Sequence, residues 1–422
     1  MEITYRVRGG IPLVGDVAIG GSKNAALPLI AAGVLAAEGE TVLRNVPQLR
    51  DVRMMLNILD FLGAETSFEE GTVRIRAQKL QSRPIPAELC APIRGSILFL
   101  GPLLARFGVV EMAYPGGDVI GKRPVNAHVE AFTQMGAEDM STQDILHLQG
   151  TLESGHVILP EFSVTATENA VMAASLLPGE TRIDLAASEP HVQEVERFVG
   201  SMGAKISGIG QHTVVIRGSR TLHGAEHYVT FDYLEAGVLV LAALITRGKL
   251  RLHGIDREHL LSFLDSLRRF GAVWKYDPKE QALLIDGELS SLRSMNVRTN
   301  IFPGFPSDLQ APMGVAMTQA QGVSRMFERL YEGRMAYLYE LEKMGAHVEI
   351  LNAHQALIIG PTPLRGRVVA SNDIRAGAAM VLAALCAEGE TTITDVRYIE
   401  RGYDKLDQKL RGLGAKIERM EA

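Results

Sequence analysis

At 422 residues the chain is longer than one hydrophobic core ordinarily serves, so two or three domains are expected. Its composition, 46% hydrophobic and 22% charged, is that of a globular protein, and a net charge of −6 gives no general attraction to nucleic acid or an anionic membrane. Neither is therefore expected as a partner, and any anion must be met by a local cluster of cations. The opening MEITYRVRGG lacks an apolar core of signal-peptide length, and the longest apolar runs, such as AGVLVLAALI at 236–245, are too short to span a bilayer. A cytoplasmic location follows as an expectation. The two cysteines, Cys90 and Cys386, stand in no metal-like spacing, and neither metal nor cofactor is expected.

In chain order the predicted elements repeat. The phrases FLGAE, QMGAE, SMGAK, RFGAV, KMGAH and GLGAK place glycines at 63, 136, 203, 271, 345 and 414, with steps of 73, 67, 68, 74 and 69 residues. A second glycine precedes each by 23 to 28 residues, at 39, 108, 179, 248, 322 and 389. There an Ala/Leu-rich segment ends and a β-branched run begins, as in AALCAEGETTITDV. The spacing predicts a helix with a glycine C-cap, a strand, a second helix, the Gly-Ala turn and a further strand. A module of roughly 70 residues buries little alone, so six copies should pack together, and an even number allows two lobes of three.

Charged residues gather in the Gly- and Pro-rich turns of this pattern. IGGSKNAALPLIAAG at 19–33 sets Lys23 and Asn24 at a helix start, a plausible anion site but no P-loop. IRGSILFLGPLLARFG at 93–108 puts Arg94 at the unfavourable end of a helix dipole. YPGGDVIGKRP at 114–124 sets Asp118 between a glycine pair and two cations, Lys122 and Arg123. FPGFPSDLQ at 302–310 places Asp308 before a helix, where capping is the plain expectation. YEGRMAY brings Glu332 and Arg334, NDIRAGAAM brings Asp373 and Arg375, and YIERGYDKL brings Arg401. Singly these are ordinary surface charges. Together they suit a substrate carrying phosphate and carboxylate groups.

The tokens GGSKNAALPL, GPLLARFG, GGDVIGKRP, SVTATENAVMAA, FPSDLQ, NDIRAGA and RGYDKLDQKLRGLGAKIE resemble the enolpyruvyl transferase family, in the branch acting on UDP-N-acetylglucosamine, along essentially the whole length. The resemblance implies an α/β fold, a two-lobed inside-out α/β barrel of six βαβαββ-type repeats around a cleft. The implied lobes are 22–230, carrying a mobile lid at 112–124, and 1–21 with 231–422. It implies two small-molecule substrates, phosphoenolpyruvate and UDP-N-acetylglucosamine, joined by addition and elimination in the first committed step of peptidoglycan precursor synthesis. By similarity Lys23, Arg123 and Arg401 hold phosphoenolpyruvate, and Asp308 is the base at the 3-hydroxyl. Asn24, Arg94, Arg123, Pro124, Val125, Asn126, Ala127, Ser163, Val164, Thr165 and Leu330 line the nucleotide-sugar site. Arg334, Asp373 and Arg375 support the substrates, and His128 and Glu189 fall on further cleft positions.

The chain also departs from the family pattern. Asp118, the implied proton donor, stands where most members carry cysteine, which implies insensitivity to fosfomycin, an alkylator of that thiolate. A free aspartate is protonated about once in 10³ molecules at pH 7, so Asp118 is expected to act as an acid only beside bound anions with water expelled. Thr165 replaces a usual glycine, YEGRMAY replaces FENRFMH, and Tyr233 replaces an arginine. Two rivals remain at this level: a sister transferase acting on shikimate 3-phosphate, and a catalytically silent nucleotide-sugar binder. The oligomeric state is open.

Overall fold

The computed structural model describes residues 3–117, 120–121 and 123–421. These form two compact units. A terminal unit takes the chain up to Gly20, residues 120–121 and everything from Phe231, and a central unit takes Gly21–Gly117 with Arg123–Thr230. Each has its own hydrophobic core.

Both units use one module three times. A largely buried helix opens it, followed by a strand, an amphipathic helix, the Gly-Ala turn and a return through antiparallel strands. In the central unit these buried helices are Lys23–Ala32, Leu100–Phe107 and Val164–Ser175; in the terminal unit they are Tyr233–Ile245, Gln310–Thr318 and Ile374–Cys386. Every residue of Tyr233–Ile245 is buried, Glu235 in its first turn included, as a helix apolar along nearly its whole length requires. With about 1.5–3 kcal/mol for each large aliphatic side chain taken from water, such helices supply much of the cohesion of each unit. The second helices show one apolar stripe: Leu261–Phe270 buries Phe263, Leu264, Leu267 and Phe270 and exposes its arginines.

The sheets repeat as well. In the terminal unit Val14–Ala18, Lys249–His253, Ala282–Asp286 and Val273–Asp277 form one sheet, whose first pair is parallel and whose others are antiparallel. Asn296–Arg298, Gly322–Phe327, Gln355–Gly360 and His347–Asn352 repeat that plan. In the last sheet the chain's first strand fills the third place. Ile3–Arg8 lies between Glu390–Thr394 and Lys416–Glu421, with Val7 opposite both Thr391 and Ile417. The central unit repeats the plan with Glu226–Tyr228, Thr41–Arg44, Thr72–Arg76 and Glu65–Glu69, and again with His156–Ile158, Gly179–Asp184, Thr213–Gly218 and Lys205–Ser207.

All six Gly-Ala glycines have positive φ, from 88 to 124°, a region costly for any residue with a Cβ. That is the physical reason the phrase recurs. The earlier glycine of each module departs from the expected C-cap: only Gly108 caps its helix, at φ 71°. The others stand farther on, because the chain needs several residues to cross from the helix layer to the sheet. At Gly248 a Cβ would lie 2.0 Å from the Leu13 carbonyl oxygen, so closeness of backbones demands glycine there.

Among the described residues no helix is long and apolar enough to cross a membrane, and no group of three His, Cys, Asp or Glu is placed to hold a metal ion.

Candidate active site

Several of the predicted site residues, Lys23, Asn24, Ser163, Val164, Thr165, Asp308, Asp373 and Arg375, stand at or just before the first turns of the buried helices. In the terminal unit Asp232 caps Tyr233–Ile245, accepting from the Leu234 and Glu235 N–H groups at 2.9 and 3.1 Å. Asp373 caps Ile374–Cys386, accepting from Arg375 and Ala376 N–H at 2.7 and 2.9 Å. The three buried helices pack on one another, which carries their starts to one place.

Asp308 differs from its neighbours. It lies inside the 3₁₀ turn Ser307–Leu309 and its side chain caps nothing, contrary to the plain expectation for an acid before a helix. Instead Oδ1 accepts from Arg334 Nη1 at 2.6 Å and Oδ2 accepts from Arg375 Nε at 2.9 Å, with Arg375 Nη2 in ion-pair contact with Oδ2 at 2.8 Å. The arginine side chains are only 5% and 6% exposed, against 27% for Asp308. Burial would raise the Asp308 carboxyl, but the Arg375 and Arg334 charges outweigh it and hold it far below the usual carboxylate range. The same ion pairs overcome the burial that would lower both guanidinium groups. Each arginine also lies over a tyrosine ring, Arg375 on Tyr403 at 5.3 Å and Arg334 on Tyr331 at 4.9 Å. Arg334 Nε is buried with no hydrogen-bond partner among the described residues, a donor left for an anion.

Arg401 lies in Arg397–Gly402, half-buried. A Cβ on Gly402 would stand 2.1 Å from Ile374 Cγ2, so this short helix is pressed onto the start of the one bearing Arg375. Leu330 is 40% exposed. Its N–H and Thr299 Oγ1 donate to Glu328 Oε1 at 2.8 and 3.0 Å, while Ser307 Oγ donates to Oε2 at 2.7 Å. The fully buried Glu328 thus ties the Asp308 turn to the Leu330 segment, a role sequence reasoning missed. Its signal is faint: one acid beside the apolar end of a strand, in MFERL. Residues 332–333 also receive 120–121, with Gly333 N–H donating to the Ile120 carbonyl at 3.0 Å.

In the central unit Ser22 caps Lys23–Ala32. Lys23 Nζ lies 3.4 Å from Asp51 Oδ2, with side chains 9% and 4% exposed. Asp51, in the first turn of Arg50–Phe61, was also missed in the sequence, since nothing local links it to a lysine 28 residues away. Asn24, next to Lys23, is half-buried. Arg94 opens the 3₁₀ turn Arg94–Phe99 and donates through Nη2 to the Pro124 carbonyl at 3.2 Å, fixing it to the 123–127 segment. In that segment Val125 and Ala127 are buried, Arg123 is half-buried, and Pro124 and Asn126 are exposed. Ser163 caps Val164–Ser175, and Thr165 Oγ1 lies 3.0 Å from His128 Nε2. Arg94, Pro124, His128 and Thr165 therefore form one connected group. Asp118 and Lys122 lie outside the described residues.

The units differ in charge at these helix starts. The first turns of Lys23–Ala32, Arg94–Phe99 and Val164–Ser175 hold no acid, so their positive ends remain available to anions. The terminal unit meets its helix starts with Asp232, Asp308 and Asp373.

Residues 7–410 match the family model described as EPSP synthase (3-phosphoshikimate 1-carboxyvinyltransferase). The chain is 40% identical to the UDP-N-acetylglucosamine 1-carboxyvinyltransferase of Treponema denticola over 99% of both chains. It is 41% identical to the protein of the same name from Bradyrhizobium diazoefficiens, over 99% and 98%. The chain belongs to the UDP-N-acetylglucosamine 1-carboxyvinyltransferase family of enolpyruvyl transferases. Its fold is that of the wider group. The enolpyruvyl transferase NikO from Streptomyces tendae superposes with a TM-score of 0.90 at 24% identity, covering 100% and 99% of the two chains. An EPSP synthase from Acinetobacter baumannii gives 0.77 at 18%, covering all of both. The α/β enolpyruvyl transferase fold expected from the sequence is met.

Proposed function

We propose that the chain transfers the enolpyruvyl group of phosphoenolpyruvate to the 3-hydroxyl of UDP-N-acetylglucosamine and releases phosphate, opening peptidoglycan precursor synthesis. The observation that carries this is full-length likeness, 40% identity over 99% of both chains, to a protein named for that activity. In the addition step Asp308 takes the 3-hydroxyl proton as that oxygen bonds to C2 of phosphoenolpyruvate, and Asp118 protonates the methylene carbon. In the elimination step the C2–O bond to phosphate breaks, a methyl proton leaves, and the double bond returns. Lys23, Arg123 and Arg401 hold the phosphate and carboxylate.

The Asp308 clamp supports a linkage between these roles. While Arg334 and Arg375 hold it, Asp308 is ionised but a weak base. Arriving phosphate and carboxylate groups compete for those guanidinium groups and return basicity to Asp308, so the base strengthens when phosphoenolpyruvate is present. The acid-free helix starts beside Arg94 and Thr165 favour the nucleotide diphosphate in the central unit.

The test is phosphate release from purified protein, which should require both substrates together. Binding of UDP-N-acetylglucosamine without turnover would establish the silent binder instead. Full turnover by Asp118→Asn would remove Asp118 as the proton donor.

A further inference from the structure

A hydrogen-bond chain inside the central unit ends in a donor with nothing to receive it. Asn169 is fully buried on Val164–Ser175. Its side-chain oxygen accepts from the Gly101 N–H at 2.7 Å, and its nitrogen donates to the Ile97 carbonyl at 3.0 Å. One partner is a backbone donor and the other a backbone acceptor, so the amide has a single allowed orientation. The same Nδ2 stands 3.1 Å from His128 Nδ1. An amide nitrogen donates and does not accept, so His128 Nδ1 is the acceptor and carries no proton. Nδ2 also donates to the Thr165 carbonyl at 3.1 Å, so its two hydrogens are shared among three acceptors, and a proton on His128 Nδ1 would face a donor in every arrangement.

His128 is 1% exposed. Burial, and then the Arg94 charge, push its imidazole down to about 3, so the ring is neutral at working pH. A neutral ring bare at Nδ1 holds its proton on Nε2, which faces Thr165 Oγ1 at 3.0 Å. The hydroxyl oxygen therefore accepts from His128, and its own hydrogen must be spent elsewhere. Among the described residues no acceptor for it is present, and Thr165 is half-buried at the start of its helix. Asn169 and His128 together turn Thr165 into a donor of fixed direction.

We propose that Thr165 is a specificity-determining residue whose hydroxyl, oriented by the His128–Asn169 relay, donates to a phosphate oxygen of the bound nucleotide sugar. The inference rests on the activity proposed above and adds a contact of this chain's own, since a glycine at 165 has no hydroxyl. Arg94 acts electrostatically on His128, the donor to Thr165, and the helix start carries no acid, so an anionic oxygen fits better than a neutral carbonyl. His128 and Asn169 are positioning residues, because they act through Thr165.

The experiment is calorimetric binding of UDP-N-acetylglucosamine, UDP and uridine to the unmodified protein, Thr165→Val and Thr165→Ser. Valine keeps the size and branching and removes the hydroxyl. Thr165→Val should bind UDP-N-acetylglucosamine and UDP about 10- to 150-fold more weakly, the range for losing one hydrogen bond to a charged group. Serine should recover most of that, and uridine should bind all three alike. In turnover, KM for UDP-N-acetylglucosamine should rise well beyond KM for phosphoenolpyruvate. Unchanged UDP affinity in a folded Thr165→Val overturns the proposal, as does an equal loss for uridine. Should the valine variant fail to fold, ¹⁵N NMR of His128 in the unmodified, ligand-free protein decides. A proton on Nε2 alone upholds the relay, and a proton on Nδ1 overturns it. Failure of the unmodified protein to bind UDP-N-acetylglucosamine would instead refute the proposed function, leaving the tautomer measurement to judge the relay separately.

Discussion

Replacing Asp308 by asparagine tests the clamp and the base together. The carboxylate receives two charge-assisted hydrogen bonds, at 2.6 and 2.9 Å, and a further ion-pair contact at 2.8 Å, from two arginines only 5% and 6% exposed. Asparagine keeps the shape, removes the charge and turns one acceptor into a donor facing donors. Breaking a buried ion pair by removing one partner costs about 3–5 kcal/mol, and the partial exposure of Asp308 points to the lower end, about 3 kcal/mol. For a cooperative unit of this size that is a loss of about 6–12 °C in Tm. The deficit depends on pH. The folded carboxyl lies below its unfolded value, so its stabilisation is complete above the ordinary carboxylate range and disappears as pH falls through the folded value. Parent and variant should therefore differ fully at pH 7 and converge in acid. Inorganic phosphate should restore part of the loss by replacing the missing charge, about 2.7 kcal/mol at a hundredfold excess over its Kd. Phosphate release should fall about 10²- to 10⁴-fold, as for a lost general base, with UDP-N-acetylglucosamine binding still measurable. Differential scanning fluorimetry across pH, with and without phosphate, and a phosphate-release assay give the answer. An unchanged Tm with no response to phosphate would refute the clamp, and normal turnover would refute the base.

Lys23→Ala and Arg401→Ala should each raise KM for phosphoenolpyruvate tenfold or more, and unchanged kinetics in both would dispose of the anion site; Lys23→Ala should also lose some stability because it removes one ion-pair partner of the buried Asp51. Burial pushes the Glu196 carboxyl up to about 7, against the Gly210 N–H and Arg197, which lower it. Because the fold favours its protonated form, stability should be full below about pH 4.5 and fall by about 3 kcal/mol as pH climbs to 7, and Glu196→Gln should flatten most of that slope in urea titrations. Gly333→Ala places a Cβ 2.8 Å from the Ile120 carbonyl carbon, which should push residues 120–121 off 332–333 and cut kcat/KM about tenfold; unchanged steady-state kinetics would show that this contact is idle.

The repeat was legible in the sequence because it has a local cause. Positive φ after each amphipathic helix admits glycine almost alone, so the phrase marks six equivalent turns from Gly63 to Gly414. The all-apolar runs likewise foretell buried helices, since a helix with no polar face has nowhere else to lie. Apart from Gly108, the earlier glycines were legible as turns but not as caps, because their distance from the helix depends on how far apart the layers pack. The chain's first strand shows the limit on the sheet side: nothing in MEITYRVRGG says that Val7 pairs with Thr391 and Ile417.

At the site the sequence determined which charges stand at helix starts: Lys23, Arg94, Asp308, Asp373 and Arg375 all come from turn-rich phrases before apolar runs. Tertiary structure decided their partners. Asp308 meets Arg375 across 67 residues, Asn169 meets His128 across 41, Lys23 meets Asp51 across 28, and Glu328 reaches Ser307 across 21. A hydrogen bond depends on distances near 3 Å, while a sequence pattern constrains only the neighbours of each residue along one helix or strand. Whether Asp308 caps a helix or is gripped by two arginines is therefore settled only when three buried helices pack and their first turns converge.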